Sequence, residues 1–362
     1  MNCYIVGVVG VPSSYGGFET LVENLVVRKN DSNINYTVFC SKYAYKKCMK
    51  SYYDARLVYI PLKANGFQSI FYDILSMIKS IKNSDVVLIL GVSGCIFLPI
   101  FKLFSRAKII VNIDGLEHKR GKWNVFIKKY LKYSERLALK FSNIVIADNK
   151  AIAEYVYSEY KVKAEVIAYG GDHVEKIPLS KTVEEKFGVS SKYAFKVCRI
   201  EPENNIEMIL EAFSIAKSLS LVVVGNWNSS DYGIKLRTKY STSEFITMLD
   251  PIYESKTLNQ LRSNCLVYVH GHSAGGTNPS LVEAMNLRLP IFCYDVVYNK
   301  ETTKYSALYF KSSDELVDLL KSIDSFELDK FAGCMEEIGK REYSWAKIVS
   351  SYEALYFRSY LR

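Results

Sequence analysis

Short β-branched runs alternate with helix-length amphipathic stretches along this chain, and the alternation pauses only once. Runs at 4–9, 36–40, 57–60, 86–90, 109–112, 144–147 and 165–167 read as strands, with helix-length segments such as 18–29, 67–82 and 123–140 between them. At Ala168-Tyr169-Gly170-Gly171-Asp172 the pattern stops. It restarts with strands at 194–197, 221–224, 245–248, 266–269 and 291–294, and helices fit at 205–219, 253–263, 280–286 and 313–322. Strands that are apolar throughout are buried on both faces, as in a parallel sheet covered by helices. The expected architecture is two doubly wound α/β halves joined near residue 170. Ligands of such sheets bind at the carboxyl ends of the strands, so two facing halves would share one deep cleft.

A length of 362 residues suits two domains. No apolar run reaches the ~20 residues that a membrane span needs, and no basic, apolar leader precedes the first strand. The eight cysteines contain no C-x-x-C pair. That predicts reduced core thiols in a cytoplasmic setting and no zinc site. Charge is uneven: residues 1–170 carry 24 Lys+Arg against 13 Asp+Glu, a balance of +11, and the remainder carry 23 against 25, or −2. The basic character thus belongs to the first half, which predicts an anionic partner met by that half alone.

Four stretches carry candidate chemistry. In 6–25, "VGVVGVPSSYGGFETLVENL", the Gly7/Gly10 pair is followed by Gly16-Gly17 and a helix near Phe18. The spacing is wrong for a G-x-G-x-x-G dinucleotide clamp. A glycine pair before a helix N-terminus still admits a phosphate closely, and a purely structural strand–helix loop reads equally well. In 112–140, Asp114 and Glu117 follow the carboxyl end of a strand, with Lys119, Arg120 and Lys122 next. The helix after them is expected to place Trp123, Phe126, Ile127, Tyr130, Leu131, Leu137 and Ala138 on one face. Lys128, Lys129, Lys132, Arg136 and Lys140 mostly take the other. A solvated basic face and a face resting on anionic lipid headgroups both fit, and no nucleic-acid reader motif is present.

In 197–213, Arg199 follows a strand, and Glu203-Asn204-Asn205 precedes a helix, an arrangement suited to a diphosphate or to plain capping. In 270–285, "HGHSAGGTNPSLVEAM", Gly275, Gly276, Thr277, Asn278 and Ser280 offer backbone and hydroxyl donors ahead of a helix. Glu283 is expected in its first turn as an acceptor for sugar hydroxyls, and His270 and His272 read as polar core or as site residues. No D-x-D occurs, so neither a metal nor another cofactor is expected.

Taken in order, "YGGFET" (15–20), "DGLEHKRGKW" (114–123), "RIEPENN" (199–205) and "GGTNPSLVEAM" (275–285) resemble the retaining family 4 glycosyltransferases of the GT-B fold. Within that family they are similar to the bacterial rhamnosyltransferases of capsule, O-antigen and rhamnan assembly. The resemblance implies an acceptor-binding Rossmann-like domain over 1–170 and a nucleotide-sugar-binding one over 171–342. A helix in 343–362 would cross back to the first. It further implies that Gly16 and Gly17 face the donor diphosphate, that Arg199 holds it, and that Glu203, Asn204 and Asn205 line it. The loop from Gly275 through Gly276, Thr277, Asn278 and Ser280 would cradle the sugar, with Glu283 on the ribose.

Three positions depart from the family pattern. Gly275 stands where an earlier glutamate is usual, Asn204 where a lysine is usual, and Asp114 where a histidine is usual. Lys119 or Arg120 could supply the missing charge, with Asp114 or Glu117 at the acceptor hydroxyl. The implied activity is metal-independent, retaining transfer of a hexose onto a polyprenyl-diphosphate-linked saccharide. L-rhamnose from dTDP-L-rhamnose is the expected donor and a UDP-hexose the alternative. The expected place is the cytoplasmic face of an anionic bacterial plasma membrane, with no nucleic-acid partner. A GT-B nucleotide-sugar 2-epimerase and a non-catalytic nucleotide-sugar-binding subunit are the competing readings.

Overall fold

The structure, a computed structural model, describes residues 1–13, 16–119, 123–189 and 192–360. The chain forms two compact units, one of residues 1–169 with 345–362 and one of residues 170–344.

In the first unit the strands are β1 (Asn2–Val6), β2 (Asn35–Ser41), β3 (Ser51–Tyr52), β4 (Ala55–Ile60), β5 (Val86–Leu90), β6 (Lys108–Asn112), β7 (Ile144–Ala147) and β8 (Glu165–Val166). They lie in the order β3-β4-β2-β1-β5-β6-β7-β8. All neighbours are parallel except β3, which pairs antiparallel with β4, a departure from the wholly parallel sheet expected. The cause is a two-residue turn at Tyr53-Asp54, with Tyr53 at φ 49°, which folds β3 back on the edge strand.

From β1 the chain steps outward through β2 to β4, then returns to β5 on the other side of β1. Right-handed crossovers therefore put helix Gly17–Val27 on one face of the sheet. Helices Gln68–Ser80, Leu98–Phe104, Val125–Phe141 and Lys150–Tyr160 lie on the other. The last helix, Trp345–Tyr360, buries Trp345, Ile348, Val349, Tyr352, Leu355 and Tyr356. It is tied to the first unit by Asn30 N–H donating to Glu353 Oε1 at 2.8 Å and by the edge-on packing of Tyr356 against Tyr36.

The helix expected over 123–140 starts at Val125, because Asn124 Oδ1 accepts the Ile127 N–H at 3.0 Å and caps it. Its buried side is Leu131, Ser134, Glu135, Ala138 and Leu139, while Phe126 is 83 % exposed. The apolar face expected from the sequence is therefore rotated. Glu135 can point inward because it is satisfied there by His118 at 3.0 Å, Tyr155 at 3.0 Å and Tyr160 at 2.6 Å.

In the second unit the strands are β9 (Tyr193–Val197), β10 (Ser220–Val224), β11 (Ile246–Leu249), β12 (Val267–His270), β13 (Ile291–Tyr294) and β14 (Leu308–Phe310). They form a parallel sheet in the order β11-β10-β9-β12-β13-β14. Ala194, Leu221, Val223, Val267, Val269 and Phe292 from the sheet pack against Ile209, Leu210, Phe213, Leu316 and Leu320 from helices Ile206–Ala216 and Ser313–Lys321. Both units are thus Rossmann-like parallel-sheet α/β domains. Among the described residues no helix is long and apolar enough to cross a membrane.

Candidate active site

Strand order in the second unit reverses between β9 and β12, and the two most informative sequence stretches leave the sheet at that seam. A reversal of this kind parts the loops on either side and leaves room for a ligand above the strand ends. Here the loops are bound to each other below that room. Asn205 Nδ2 donates to the Gly271 carbonyl at 2.8 Å, and Asn204 Nδ2 donates to the Arg199 carbonyl at 2.7 Å. Ser273 donates to the Glu203 carbonyl from its N–H and from its hydroxyl, each at 2.9 Å, and His272 Nδ1 meets Asn204 Oδ1. Asn205 takes a left-handed φ of 51° as it enters helix Ile206–Ala216, which lets its side chain turn back to β12. Arg199 is half-buried and lies 3.8 Å from Glu201.

Past β12, Gly275 has φ +111°, and a Cβ there would lie 3.4 Å from the His272 ring. Gly276 and Thr277 are buried. Asn278 caps helix Pro279–Asn286, its Oδ1 accepting the Ser280 N–H at 3.0 Å and the Ser280 hydroxyl at 2.7 Å. Those two side chains hold the loop's shape.

Glu283 is the fifth residue of this helix, one turn further on than expected. Its carboxylate pairs with Arg262 and lies 3.3 Å from His173 Nε2. Burial alone would raise its pKa, but the Arg262 charge and then the His173 hydrogen bond outweigh it and hold the group ionised below the usual glutamate range. An ionised carboxylate is purely an acceptor, as sugar hydroxyls require. His173 reaches it because Gly171 packs on the helix, where a Cβ would run into the Val282 carbonyl.

Two further groups lie beneath the seam, and the first of them escaped the sequence reading. Lys196, in mid-strand on β9, is 2 % exposed, and among the described residues no carboxylate pairs with it. Its ammonium lies beside Gly271, 3.2 Å from where a Cβ would stand. Burial pushes its pKa down. His270 is buried and stacks on Tyr268, and among the described residues its Nε2 has no hydrogen-bond partner. Burial and then Lys196 push its pKa well down, so the ring is neutral. A mid-strand lysine in an apolar run was the available signal.

In the first unit the strand order reverses between β1 and β5, so the Gly7–Gly17 loop leaves the sheet at the switch point. Gly16 has φ +127°, and a Cβ there would strike the Glu19 carboxylate, whose Oε1 accepts the Val9 N–H at 2.9 Å. Gly17 is the first residue of helix Gly17–Val27. Two strands along, past β6, Asp114 takes a left-handed φ of 57°, and its N–H donates to Asn112 Oδ1 at 3.0 Å. Glu117, His118 and Lys119 form one 3₁₀ turn. Glu117 accepts from the Trp123 indole at 3.0 Å, and the Lys119 ammonium lies 4.8 Å from the Tyr155 ring centre. Arg120 and Lys122 lie outside the described residues. Among the described residues no group of three His, Cys, Asp or Glu side chains is placed to hold a metal ion.

Residues 1–172 match a domain of unknown function, DUF1972, and residues 181–343 match glycosyl transferases group 1. Residues 181–343 thus carry the pattern of the group 1 glycosyl transferases, and the fold of the chain is GT-B.

Among solved structures, this chain is similar to sucrose-phosphate synthase from Thermosynechococcus elongatus, with a TM-score of 0.80 at 13 % identity over 99 % of this chain and 98 % of that one. It is also similar to Anabaena HepE in complex with UDP-glucose, with a TM-score of 0.72 at 14 % identity over 98 % of each chain. A curated relative is the GtfA subunit of a UDP-N-acetylglucosamine–peptide N-acetylglucosaminyltransferase from Streptococcus parasanguinis, 24 % identical over 237 residues. That match takes in 62 % of this chain and 44 % of the relative, so the chain spans less than half the relative's length.

Within each unit the predicted residues gather at the carboxyl edge of its sheet. Arg199, Glu203, Asn204, Asn205, Gly275, Gly276 and Thr277 flank one seam, with Glu283 on the helix that follows. Gly16 and Gly17 lie at the reversal of the other sheet, apart from Asp114, Glu117 and Lys119, which follow β6.

Proposed function

We propose that this chain is a glycosyltransferase that moves a hexosyl group, with retention, from a nucleoside-diphosphate sugar onto a lipid-diphosphate-linked saccharide during surface-polysaccharide assembly. The observation that carries this reading is the β9/β12 seam, where Arg199, the Gly275–Thr277 backbone and an ionised Glu283 follow a pair of loops bonded to each other. On this reading the second unit takes the donor, with Glu283 on the ribose hydroxyls and Arg199 on the diphosphate. The first unit takes the acceptor near Asp114 and Glu117. The bond from the anomeric carbon to the leaving phosphate oxygen breaks as the acceptor oxygen attacks from the same face. The acceptor proton passes to a phosphate oxygen of the leaving diphosphate or to Asp114. Arg199 and the helix-terminal amides stabilise the charge that develops on the diphosphate. No metal takes part, and the enzyme works at the cytoplasmic face of an anionic bacterial membrane.

For the donor, the four collinear motifs favour dTDP-L-rhamnose. UDP-hexoses are the second reading, supported by the UDP-glucose complex of HepE and by the UDP-N-acetylglucosamine named for the GtfA relative. The decisive experiment incubates the full chain, in EDTA, with a polyprenyl-diphosphate disaccharide and dTDP-rhamnose, UDP-glucose or UDP-N-acetylglucosamine in turn, following product mass. A deoxyhexose increment from dTDP-rhamnose alone is expected. A product only from a UDP-sugar overturns the donor assignment. An epimerised free nucleotide sugar without acceptor would establish the epimerase instead, and nucleotide binding without any product the non-catalytic subunit.

A further inference from the structure

Helices Gln68–Ser80, Leu98–Phe104 and Val125–Phe141 are neighbours on one face of the first sheet. The turn before Leu98–Phe104 packs against both of the others, and Leu98–Phe104 packs against Val125–Phe141. Gly94 N–H donates to Asp73 Oδ2 at 3.1 Å, and Tyr130 Oη donates to the Ser93 carbonyl at 2.7 Å, which fixes the three together. Each crossover helix begins at the carboxyl edge of the sheet, so their first turns line that edge.

Their outward side is unusually apolar. On the first helix and the residue before it, Phe67, Phe71, Leu75 and Ile78 repeat every three or four positions and are all exposed, Phe67 by 76 %. The second presents Ile100, Leu103 and Phe104, Leu103 by 79 %, and the third presents Phe126 at its first turn. Isolated exposed apolar side chains need no explanation, but a contiguous set on three packed helices marks a binding surface.

Charge says what it binds. These three helices contain two carboxylates, Asp73 and Glu135, and both are buried. Every exposed charge on them is positive: Lys79, Lys102, Lys129, Arg136 and Lys140. Exposed aromatic and aliphatic side chains on helices whose own exposed charges are all positive match the headgroup boundary of an anionic bilayer.

We propose that this three-helix face is the membrane-docking surface, entering the bilayer interface through Phe67, Phe71, Leu103 and Phe126 rather than resting on it by charge alone. It rests on the lipid-linked acceptor reading only for its purpose, since docking would present the acceptor-side sheet edge to the membrane.

The test is flotation of the full chain with vesicles of phosphatidylcholine, with and without 30 mol % phosphatidylglycerol, at ~0.1 M and ~0.5 M salt. Wild-type protein should float with the anionic vesicles and keep a substantial fraction bound at high salt, because apolar insertion is not screened. Phe67→Ser/Phe71→Ser/Leu103→Ser/Phe126→Ser should lower partitioning at least tenfold at both salts, with circular dichroism unchanged. A wild type released completely by salt, with the quadruple variant binding equally at low salt, overturns insertion in favour of electrostatic adsorption. A wild type that ignores vesicles but dimerises, with the variant monomeric, assigns the face to a second copy and also overturns the proposal. Transfer to a detergent-dispersed acceptor, measured in parallel, separates failure of docking from failure of the proposed activity.

Discussion

Tyr352, on the closing helix Trp345–Tyr360, accepts a hydrogen bond from Asn112 Nδ2 at 2.8 Å, and the same Asn112 side chain receives the Asp114 N–H on Oδ1 at 3.0 Å. A side chain near the end of the sequence thereby fixes the backbone of a proposed catalytic carboxylate that holds a left-handed conformation. Tyr352→Phe leaves the buried Asn112 amide without its acceptor, at a cost of ~1–3 kcal/mol. We expect kcat to fall about tenfold with donor KM changed less than twofold. Steady-state kinetics and a melting curve check it; lost stability with an unaltered kcat would show that the relay stops short of Asp114.

Glu283 and Arg262 are a buried pair, and leaving Arg262 alone should cost roughly 3–5 kcal/mol. Glu283→Gln should therefore lower the melting temperature markedly and weaken nucleoside diphosphate binding at neutral pH. Because the folded pKa lies below the ordinary value, the pair's stabilisation is present above about pH 4.5 and is lost as pH falls through the folded value. The gap in melting temperature between wild type and variant should be constant from pH 7 to 5 and shrink below that. A gap that does not change down to pH 3.5 would argue against an ionised Glu283.

Burial raises the Asp73 carboxyl to about 8, against the opposing Gly94 N–H. A raised folded pKa gives stability that is full below the unfolded value near 4 and lost as pH climbs through 8. Asp73→Asn preserves the acceptor for Gly94, so it should stabilise the protein more at pH 9 than at pH 5. Thermal melts across that range decide it, and equal gains at both ends count against the buried acid.

Lys196 carries the fourth expectation. A buried ammonium without a carboxylate costs folding energy, so Lys196→Met should raise the melting temperature. Its place beside Gly271 and the Asn204 loop suits it to favour an anion at the β9/β12 seam, and donor KM should rise about tenfold. Isothermal titration with UDP and dTDP reads the second effect; a stabilised variant with wild-type nucleotide affinity would leave Lys196 a packing residue.

What the sequence disclosed, and what it withheld, follows from the range of the forces involved. Apolar runs at 86–90 and 221–224 reveal their strands because a strand buried on both faces has no polar alternation to confuse it. The seam in the second unit was legible as two separate motifs. Their joining was not, since the bonds of Asn205 to Gly271 and of Ser273 to Glu203 span about seventy residues of sequence. The helix at 125–141 misled because Phe126 and Ile127 keep the right spacing for a core and face outward, whereas Glu135 looks solvent-seeking and is buried by His118, Tyr155 and Tyr160. Arg262 as the partner of Glu283 carried no local signal at all.

The first unit is written at both ends of the chain, and residues 170–344 lie between its parts. During synthesis, translating that intervening stretch takes on the order of ten seconds or more. For all that time the sheet of the first unit lacks the helix that covers Tyr36 and receives Asn112. The second unit, contiguous in sequence, can close meanwhile. The unit whose sheet is made before the second unit is thus completed after it, and its unfinished face is where a chaperone or a mispaired neighbour would find the nascent chain.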